Sequence, residues 1–547
     1  MMRKHSISIE HAGQFSRLFL DYVNEDKKLF PFYKYSPAID SFSQAIKDAS
    51  GQKFNRKLLV EVVTEQYAQT SNCQLPTANC QLLLDEKTFT VCTGHQLCLF
   101  TGPLYFIYKI ISTINLAEAL KKKYPQNNFV PVYWMASEDH DFDEVNHVNV
   151  FGKKLEWKNK QGGALGKYST EGIQELIEQL KAPLHLPPSG GEPRVQVLPE
   201  GEDLGGALIE LLHNAYTKHS DLSSATRFLV NELFGQYGLV IVDGNDARLK
   251  KEFDEIISDD IFNNSSFKKV EETVVALDKI GFKSQVNPRE INIFYLIDNQ
   301  RNRIVKVNDK FNVVDSDRSF TEAELKEELK SHPERFSPNV VTRPLYQQKL
   351  LPNLAYVGGP GEIAYWLEYK AMFDHYKIQF PVLVPRNFVM LIDDSISEKL
   401  NKLGLEPVDV FLSVNEMAVK YISSISGDKV SFNAEREQLK MQYKSIEEKL
   451  ALVDKSLPSA AGAELKRQVN ALDALEKKML RAFKKKNEEA VDQIKKVRDR
   501  LLPGDVLQER HDNFIPVYLK HGKAFISELK NTLDPFDKRF IILSEKS

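Results

Sequence analysis

Two polar clusters have the residue types and spacing to do chemistry, and each closes a short apolar run. The first is Thr93-Gly94-His95-Gln96, which follows Phe89 to Cys92 and precedes a helical pattern from Pro103 to Lys123. Proline suits a first helical position, and Thr101 or Gly102 can cap that helix. A strand, a glycine turn and a helix present backbone N–H groups and a helix dipole to an anion, so the segment reads as an anion cradle. His95 adds a group whose charge is adjustable near neutral pH. The second cluster is Glu138, Asp139, His140, Asp141, Asp143, Glu144 and His147, after the strand-like run Phe129 to Ala136. Three chemistries fit it. Glu138, Asp139 or Asp141 could hold magnesium beside a nucleotide phosphate. His140 or Asp141 could take the proton of an attacking amine. The plain alternative is carboxylates placed against a helix dipole. A zinc site is not expected, because His140 and His147 lack a third ligand at motif spacing.

Gly358-Gly359-Pro360-Gly361-Glu362 follows the strand-like Leu354 to Val357 and opens a helix over Ile363 to Phe373. Glycines let a ligand approach the backbone closely, and the helix start favours phosphate or carboxylate. The alternative is a tight turn that needs positive φ. The spacing is neither a Walker A motif nor a dinucleotide fingerprint. Arg343 and Arg386 each follow a strand-like run and flank a proline. Their forked guanidinium groups match carboxylate or phosphate, or else form structural ion pairs. Asn339 and Asn387 stand beside them as readers of a polar substrate.

The elements that must position these residues alternate strand and helix, which implies a mostly parallel, doubly wound sheet. Ligands bind at the carboxyl ends of such strands, where both first clusters fall. Residues 1–150 read as N-terminal helices and the first half of the core. A Gly- and Pro-rich insertion over 151–235 follows, with Pro187-Pro188 and Gly190-Gly191 among its loop signals. Core returns over 236–280. A second insertion over 281–335 contains a hairpin, Ile291 to Ile297 and Arg303 to Val307, around Asp298-Asn299. It ends at a helix opened by the capping box Thr321-x-x-Glu324. The second half of the core, 336–395, resumes with a strand-like Pro338 to Pro344. A helical coiled coil occupies 396–510. Its first seam is Leu439, Tyr443, Ile446, Leu450, Val453 and Leu457. Pro458 to Gly462 breaks it, and a second seam runs from Leu465 to Leu501, on the order of 60 Å. Such a hairpin cannot bury both faces alone, so a homodimer is expected. Residues 511–547 return to the core, with a strand at Arg539 to Leu543.

At 547 residues, two or three domains are expected. A net charge of −3 gives no general attraction to nucleic acid or anionic lipid, so neither is an expected partner. The basic runs Lys121–Lys123 and Lys484–Lys486 sit in helical patterns and read as solvated faces. Four cysteines in so long a chain, Cys73, Cys80, Cys92 and Cys98, form neither a zinc pattern nor a disulfide framework, which points to a reducing cytoplasm. Cys92 reads as a buried small hydrophobe, and a catalytic role for Cys98 is not favoured. No secretory leader pattern and no apolar run near 20 residues is present, so no membrane span is expected.

Taken together, Thr93–Gln96 with Thr101-Gly102-Pro103-Leu104-Tyr105, Glu138–Phe142 with Glu144-Val145-Asn146, Arg343-Pro344-Leu345-Tyr346-Gln347, Gly358 to Tyr365, Val384-Pro385-Arg386-Asn387 and Gln508-Glu509-Arg510 resemble the bacillithiol biosynthesis cysteine-adding enzyme family over nearly the whole chain. His95 stands where members of that family commonly carry Gln. The resemblance implies a Rossmann-like core, similar to class I nucleotidyltransferases, with two insertions and an antiparallel helical coiled coil that dimerises. It implies a ligase that adds cysteine to the free amine of glucosaminyl-malate. Amide formation from a free carboxylate needs activation, for which ATP, with magnesium, is the expected cofactor. The amide N–H groups at Thr93, Gly94, His95, Gln96, Gly359 and Gly361, with Glu362 and Tyr365, would then hold phosphate or substrate carboxylate. Arg343, Arg386 and Asn387 would bind malate or phosphate, and His140 or Asp141 would assist the amine. A nucleotidyltransferase with another acceptor and a non-catalytic nucleotide-binding dimer are the competing readings.

Overall fold

The computed structural model describes residues 2–185, 204–297, 299–426 and 431–545. The insertion signals Pro187-Pro188 and Gly190-Gly191, and the hairpin residue Asp298, lie outside the described residues. The chain divides into two units. One is Ser6–Val389 with Glu509–Ile541, and the other is Met390–Gln508 with both chain ends.

The first unit is built on five parallel strands: β1 (Thr88–His95), β2 (Asn128–Met135), β3 (Val240–Asp243), β4 (Asn353–Gly358) and β5 (Val382–Pro385), in the order β5-β4-β1-β2-β3. Every residue of β3 and β4 is buried, and all but the last of β1. A strand covered on both faces has no reason to alternate, which is why these segments read as continuous apolar runs. Helix α1 (Tyr105–Lys123) connects β1 to β2. Its Leu116, Ala117 and Leu120 join Phe89, Val91, Val357 and Val384 in one apolar cluster. Each such leucine contributes about 1.5–3 kcal/mol by burial. The helix ends in the exposed Lys121–Lys123, which suit the negative end of its dipole.

Strand order reverses between β1 and β4, where doubly wound sheets leave a crevice at their carboxyl ends. Gly94 and Gly358 sit at that crevice. Helix α1 does not start directly behind Gly94. The intervening chain forms a short 3-10 turn, Leu99–Thr101, with Phe100 and Thr101 at φ of 49° and 69°. No hydroxyl caps α1, contrary to the expected cap by Thr101 or Gly102. The Leu104 N–H donates instead to the Asp512 carbonyl at 2.8 Å, so this helix start does not offer that N–H to an anion.

The second insertion is larger than a hairpin. Ser319–Phe320, Lys310–Val313, Gln300–Val307, Ile293–Ile297 and Phe336–Pro338 form a five-stranded antiparallel sheet in that order, with Ile297 opposite Gln300. Thr321 and Glu324 make the expected capping box. The strand expected over Pro338 to Pro344 ends at Pro338. There the Asn339 side chain accepts the N–H groups of Val341 and Thr342 and turns the chain, and Arg343 opens helix α2 (Arg343–Leu350) with Pro344 in its first turn. Helix α3 (Pro360–Trp366) follows β4.

In the second unit, helices Asn433–Ala451 and Pro458–Lys486 pack against each other, and Glu488–Leu501 continues after Asn487. Pro458 starts a helix rather than breaking one, since its missing N–H falls in the unpaired first turn. Val453 and Leu457 of the expected seam lie past the first helix, and Val453 is 79% exposed. The last strand, Phe540–Glu545, joins Met2–Ile7 and Phe388–Ile392 in a three-stranded sheet and not the parallel one.

Candidate active site

A cavity of about 890 Å³ opens at the carboxyl ends of the parallel strands of the first unit. It is walled by the turn after β1, the acidic segment after β2, the start of α2, the glycine turn before α3, and residues of the second insertion. Of the residues singled out from sequence, Gly94, His95, Gln96, Glu138, Asp139, His140, Asp141, Asn339, Arg343, Gly359, Gly361, Glu362, Tyr365 and Arg386 line it. Glu144 lines it too, whereas Thr93, Asp143, His147 and Asn387 do not. The Thr93 hydroxyl donates to the Val357 carbonyl at 2.7 Å and ties β1 to β4. Asn387 is buried between Ser112 and the Asp534 carbonyl.

The β1–β4 side is organised by a residue that escaped the sequence reading. Lys109 of α1 is 1% exposed, and its ammonium donates to both Glu362 oxygens, at 2.9 and 2.8 Å, and to the Gly94 carbonyl. Glu362 also accepts from the Tyr356 hydroxyl and from the Gly359 N–H at 2.8 Å. The start of α3 therefore already faces a carboxylate, the one belonging to Glu362. Burial pushes the Glu362 carboxyl up, but the Lys109 ammonium and the hydrogen bonds from Tyr356 and Gly359 together hold the group below its usual range. The glycine turn does not need positive φ, since Gly359 is extended at φ −76° and ψ 175°. Close approach is what demands glycine. A Cβ on Gly94 would stand 3.3 Å from the Arg343 guanidinium and from the Tyr356 hydroxyl.

Arg343 rests over the Tyr356 ring and donates to the Gln347 side chain at 3.0 Å. Arg386 takes the structural course instead. It forks onto Glu509 at 2.9 and 2.6 Å, with both side chains 1% exposed. Its charge is thereby neutralised, although the sequence reading gave it to malate or phosphate. Arg510, next in the chain, does line the cavity.

On the β2 side, Gln96 donates to Asp139 and to Glu144, each at 2.8 Å. Asp139 also accepts the N–H groups of His140 and Asp141. Glu138 pairs with buried Lys250 at 2.5 Å. His140 meets Arg301, which reaches in from the second insertion, at 3.0 Å. Asp139, His140 and Asp141 each offer an atom within 4.8 Å of the others. A guanidinium against His140 opposes a second cation there, and Asp139 is already hydrogen-bonded through both oxygens, so this set is a poor metal site. His95 contacts Cys98 at 3.6 Å. Burial and the Lys109 charge push the His95 imidazole down to about 3, and burial pushes the Cys98 thiol up to about 12. Both are neutral at pH 7, so Cys98 is not a thiolate nucleophile.

Lys109, Lys250 and Arg301 carry the arrangement, yet only Lys109 left a trace in the sequence, as a lone charge inside the apolar stretch Phe106 to Ile111. Lys250 and Arg301 lie in ordinary polar patterns.

A doubly wound parallel sheet with a polar cavity at its switch point defines an α/β protein of the Rossmann-like class. Within that class, residues 2–387 match the family model "Bacillithiol biosynthesis BshC, N-terminal Rossmann-like domain" and residues 389–545 match "Bacillithiol biosynthesis BshC, C-terminal coiled-coil domain". The chain is 42% identical over 540 residues to a Flavobacterium psychrophilum protein named "Putative cysteine ligase BshC", covering 98% of each chain. Proteins of the same name from Christiangramia forsetii and Flavobacterium johnsoniae are 42% and 40% identical, over 99% and 98% of this chain and 99% of each relative. The chain belongs to the bacillithiol biosynthesis BshC family and is a ligase.

Proposed function

We propose that this ligase joins the carboxyl group of cysteine to the free amine of glucosaminyl-malate, with ATP activating the carboxylate. The observation that supports it is the split polarity of one cavity. Arg343 stands at the β1–β4 side, where Lys109 neutralises Glu362, and Asp139, Asp141 and Glu144 outnumber Arg301 on the β2 side. Phosphate or malate carboxylates suit the first wall, and an amine suits the second. A volume of about 890 Å³ lies near the top of the range for small-molecule sites, roughly 300–1,000 Å³, and accommodates a nucleotide.

ATP supplies a phosphate leaving group on the cysteine carboxyl. Asp141, on the open edge of the cavity, takes the proton of the acceptor ammonium. The freed amine attacks the carbonyl, the C–N bond forms, the C–O bond to phosphate breaks, and the nitrogen passes its second proton to the departing phosphate, which leaves along the Arg343 wall. Magnesium, in this reading, travels on the nucleotide phosphates without an assigned protein ligand. The helical hairpin, with Leu452 and Val453 exposed, is the proposed homodimer contact, and the reduced cytoplasm is the proposed compartment.

Mass spectrometry of purified protein with glucosaminyl-malate, cysteine, ATP and magnesium tests the reading against an ATP-free control. Product with ATP alone is the expected result, and release of AMP or ADP identifies the activated intermediate. Product formation unchanged by Arg343→Ala would remove that residue from its role.

A further inference from the structure

The contact between Arg301 and His140 has a chemical consequence that neither residue shows by itself. Arg301 lies on the strand Gln300–Val307 of the second insertion and is locked on three sides. Its Nε donates to the Ser337 hydroxyl at 3.0 Å, one terminal nitrogen donates to the Pro338 carbonyl at 2.9 Å, and its Cζ lies 4.1 Å from the centre of the Phe294 ring. Its other terminal nitrogen is 3.0 Å from Nδ1 of His140. A guanidinium has five donors and no acceptor. A protonated Nδ1 would set two N–H groups head to head at this distance. Nδ1 must therefore be bare and accept, and the ring proton must sit on Nε2.

The other charged neighbours do not reverse this. Asp139 approaches Nδ1 no closer than 3.8 Å and already accepts the backbone N–H of His140. Asp141 lies on the Nε2 side at 4.0 Å, where a carboxylate favours a proton on that nitrogen. Phe294 covers a face of the ring, with centroids 5.4 Å apart, and brings no charge. The Glu138 carboxylate, which also acts on Arg301, is paired with Lys250.

We propose that Arg301 is a positioning residue that fixes His140 as the neutral Nε2–H tautomer, so that His140 donates a hydrogen bond into the cavity and does not take the proton of the amine. The lone pair a base would need is the one Arg301 occupies. The Nε2–H is left for an oxygen that gains negative charge, such as the carbonyl or phosphate oxygen of an activated acyl group. Proton removal then falls to Asp141. The second insertion, by this account, sets the chemistry of a residue on the core. The assignment of the acceptor oxygen rests on the proposed ligation, whereas the tautomer does not.

The test has two independent readouts. The first is a proton–nitrogen correlation spectrum of full-length protein carrying ¹⁵N-histidine at pH 7.5, with the His140 signals identified by their loss in His140→Gln. The expected pattern is a bare Nδ1 and a protonated Nε2. Arg301→Gln should shift proton density onto Nδ1, and Ser337→Ala, which frees one side of Arg301 without removing its charge, should do so less. Circular dichroism checks that each variant is folded. A protonated Nδ1 in the wild type, or a pattern unchanged in both variants, would overturn the proposal. The second readout is the ligation rate. His140→Ala should lose roughly tenfold to a hundredfold, the scale of one hydrogen bond to a charged group. His140→Gln, whose amide N–H replaces the Nε2–H, should recover most of it. Equal loss in both would make His140 a base and defeat the proposal. Wild-type protein that yields no product fails the ligation reading alone, because the tautomer is read without turnover.

Discussion

The strand ends of the first unit and the helical hairpin of the second invert the usual placement of residues. In the first, charges are buried. Lys109, Arg386 and Glu509 are each 1% exposed, and each is matched by an opposite charge. In the second, apolar side chains face outward. Leu452 is 88% exposed, Met441 is 65% exposed and Leu475 is 52% exposed, and the helix Asn433–Ala451 buries no residue. A buried charge is costly unless its partner is in place, so the first region tolerates little change. An exposed leucine has little to lose in the monomer, so the second should tolerate much.

The sharpest break between the two regions should come from Lys109→Met. It leaves Glu362, 23% exposed at the cavity wall, without its counter-charge and should lower unfolding free energy in urea by about 3 kcal/mol, the low end for breaking a buried pair. A loss below 1 kcal/mol would mean that the pair is solvated. Next in size is Gly94→Ala. Its methyl group must displace Arg343 or Tyr356, at a cost of about 1–3 kcal/mol, and product formation should fall further than stability does.

A third test uses pH. The His95 imidazole, pushed down to about 3 by burial, stays neutral in the folded protein while the unfolded chain protonates it below about 6.5. The unfolded state then binds more protons, so stability falls as pH drops from 6.5 toward 3, by up to about 1.4 kcal/mol per unit from this group. His95→Gln should flatten that slope, and equal slopes in the two proteins would contradict it. The smallest effect belongs to the hairpin. Arg436 bridges its two helices through Asp473 and Glu476, and Arg436→Ala should leave the urea midpoint almost unchanged, because water and salt screen so exposed an ion pair. Leu452→Glu should leave the far-ultraviolet circular dichroism unchanged while lowering the mass seen by light scattering, and an unchanged mass would remove the hairpin as the dimer contact.

Legibility in the sequence followed the range of the interactions. The apolar runs that became β1, β2, β4 and β5 were plain, because a strand buried on both faces writes its environment into adjacent residues. The capping box at Thr321 was plain for the same reason, since its partners are three residues apart. Pro338 to Pro344 was misread as a strand because the Asn339 side chain turns the chain, and a single polar side chain leaves no periodic signal. Arg386 stays open in the sequence between a ligand residue and an ion pair because its partner, Glu509, is 123 residues away.

The sequence by itself determined the alternation of strands and helices, the glycine turns at strand ends and the motifs that carry the family resemblance. Each is written in neighbouring residues by steric and hydrophobic rules. Only the tertiary structure decided which charges are free and which are taken. Lys109 belongs to Glu362, Lys250 to Glu138, Arg386 to Glu509, and Arg301 faces His140. Electrostatic partnership depends on distance in space and on exclusion of water, and neither is a property of position along the chain.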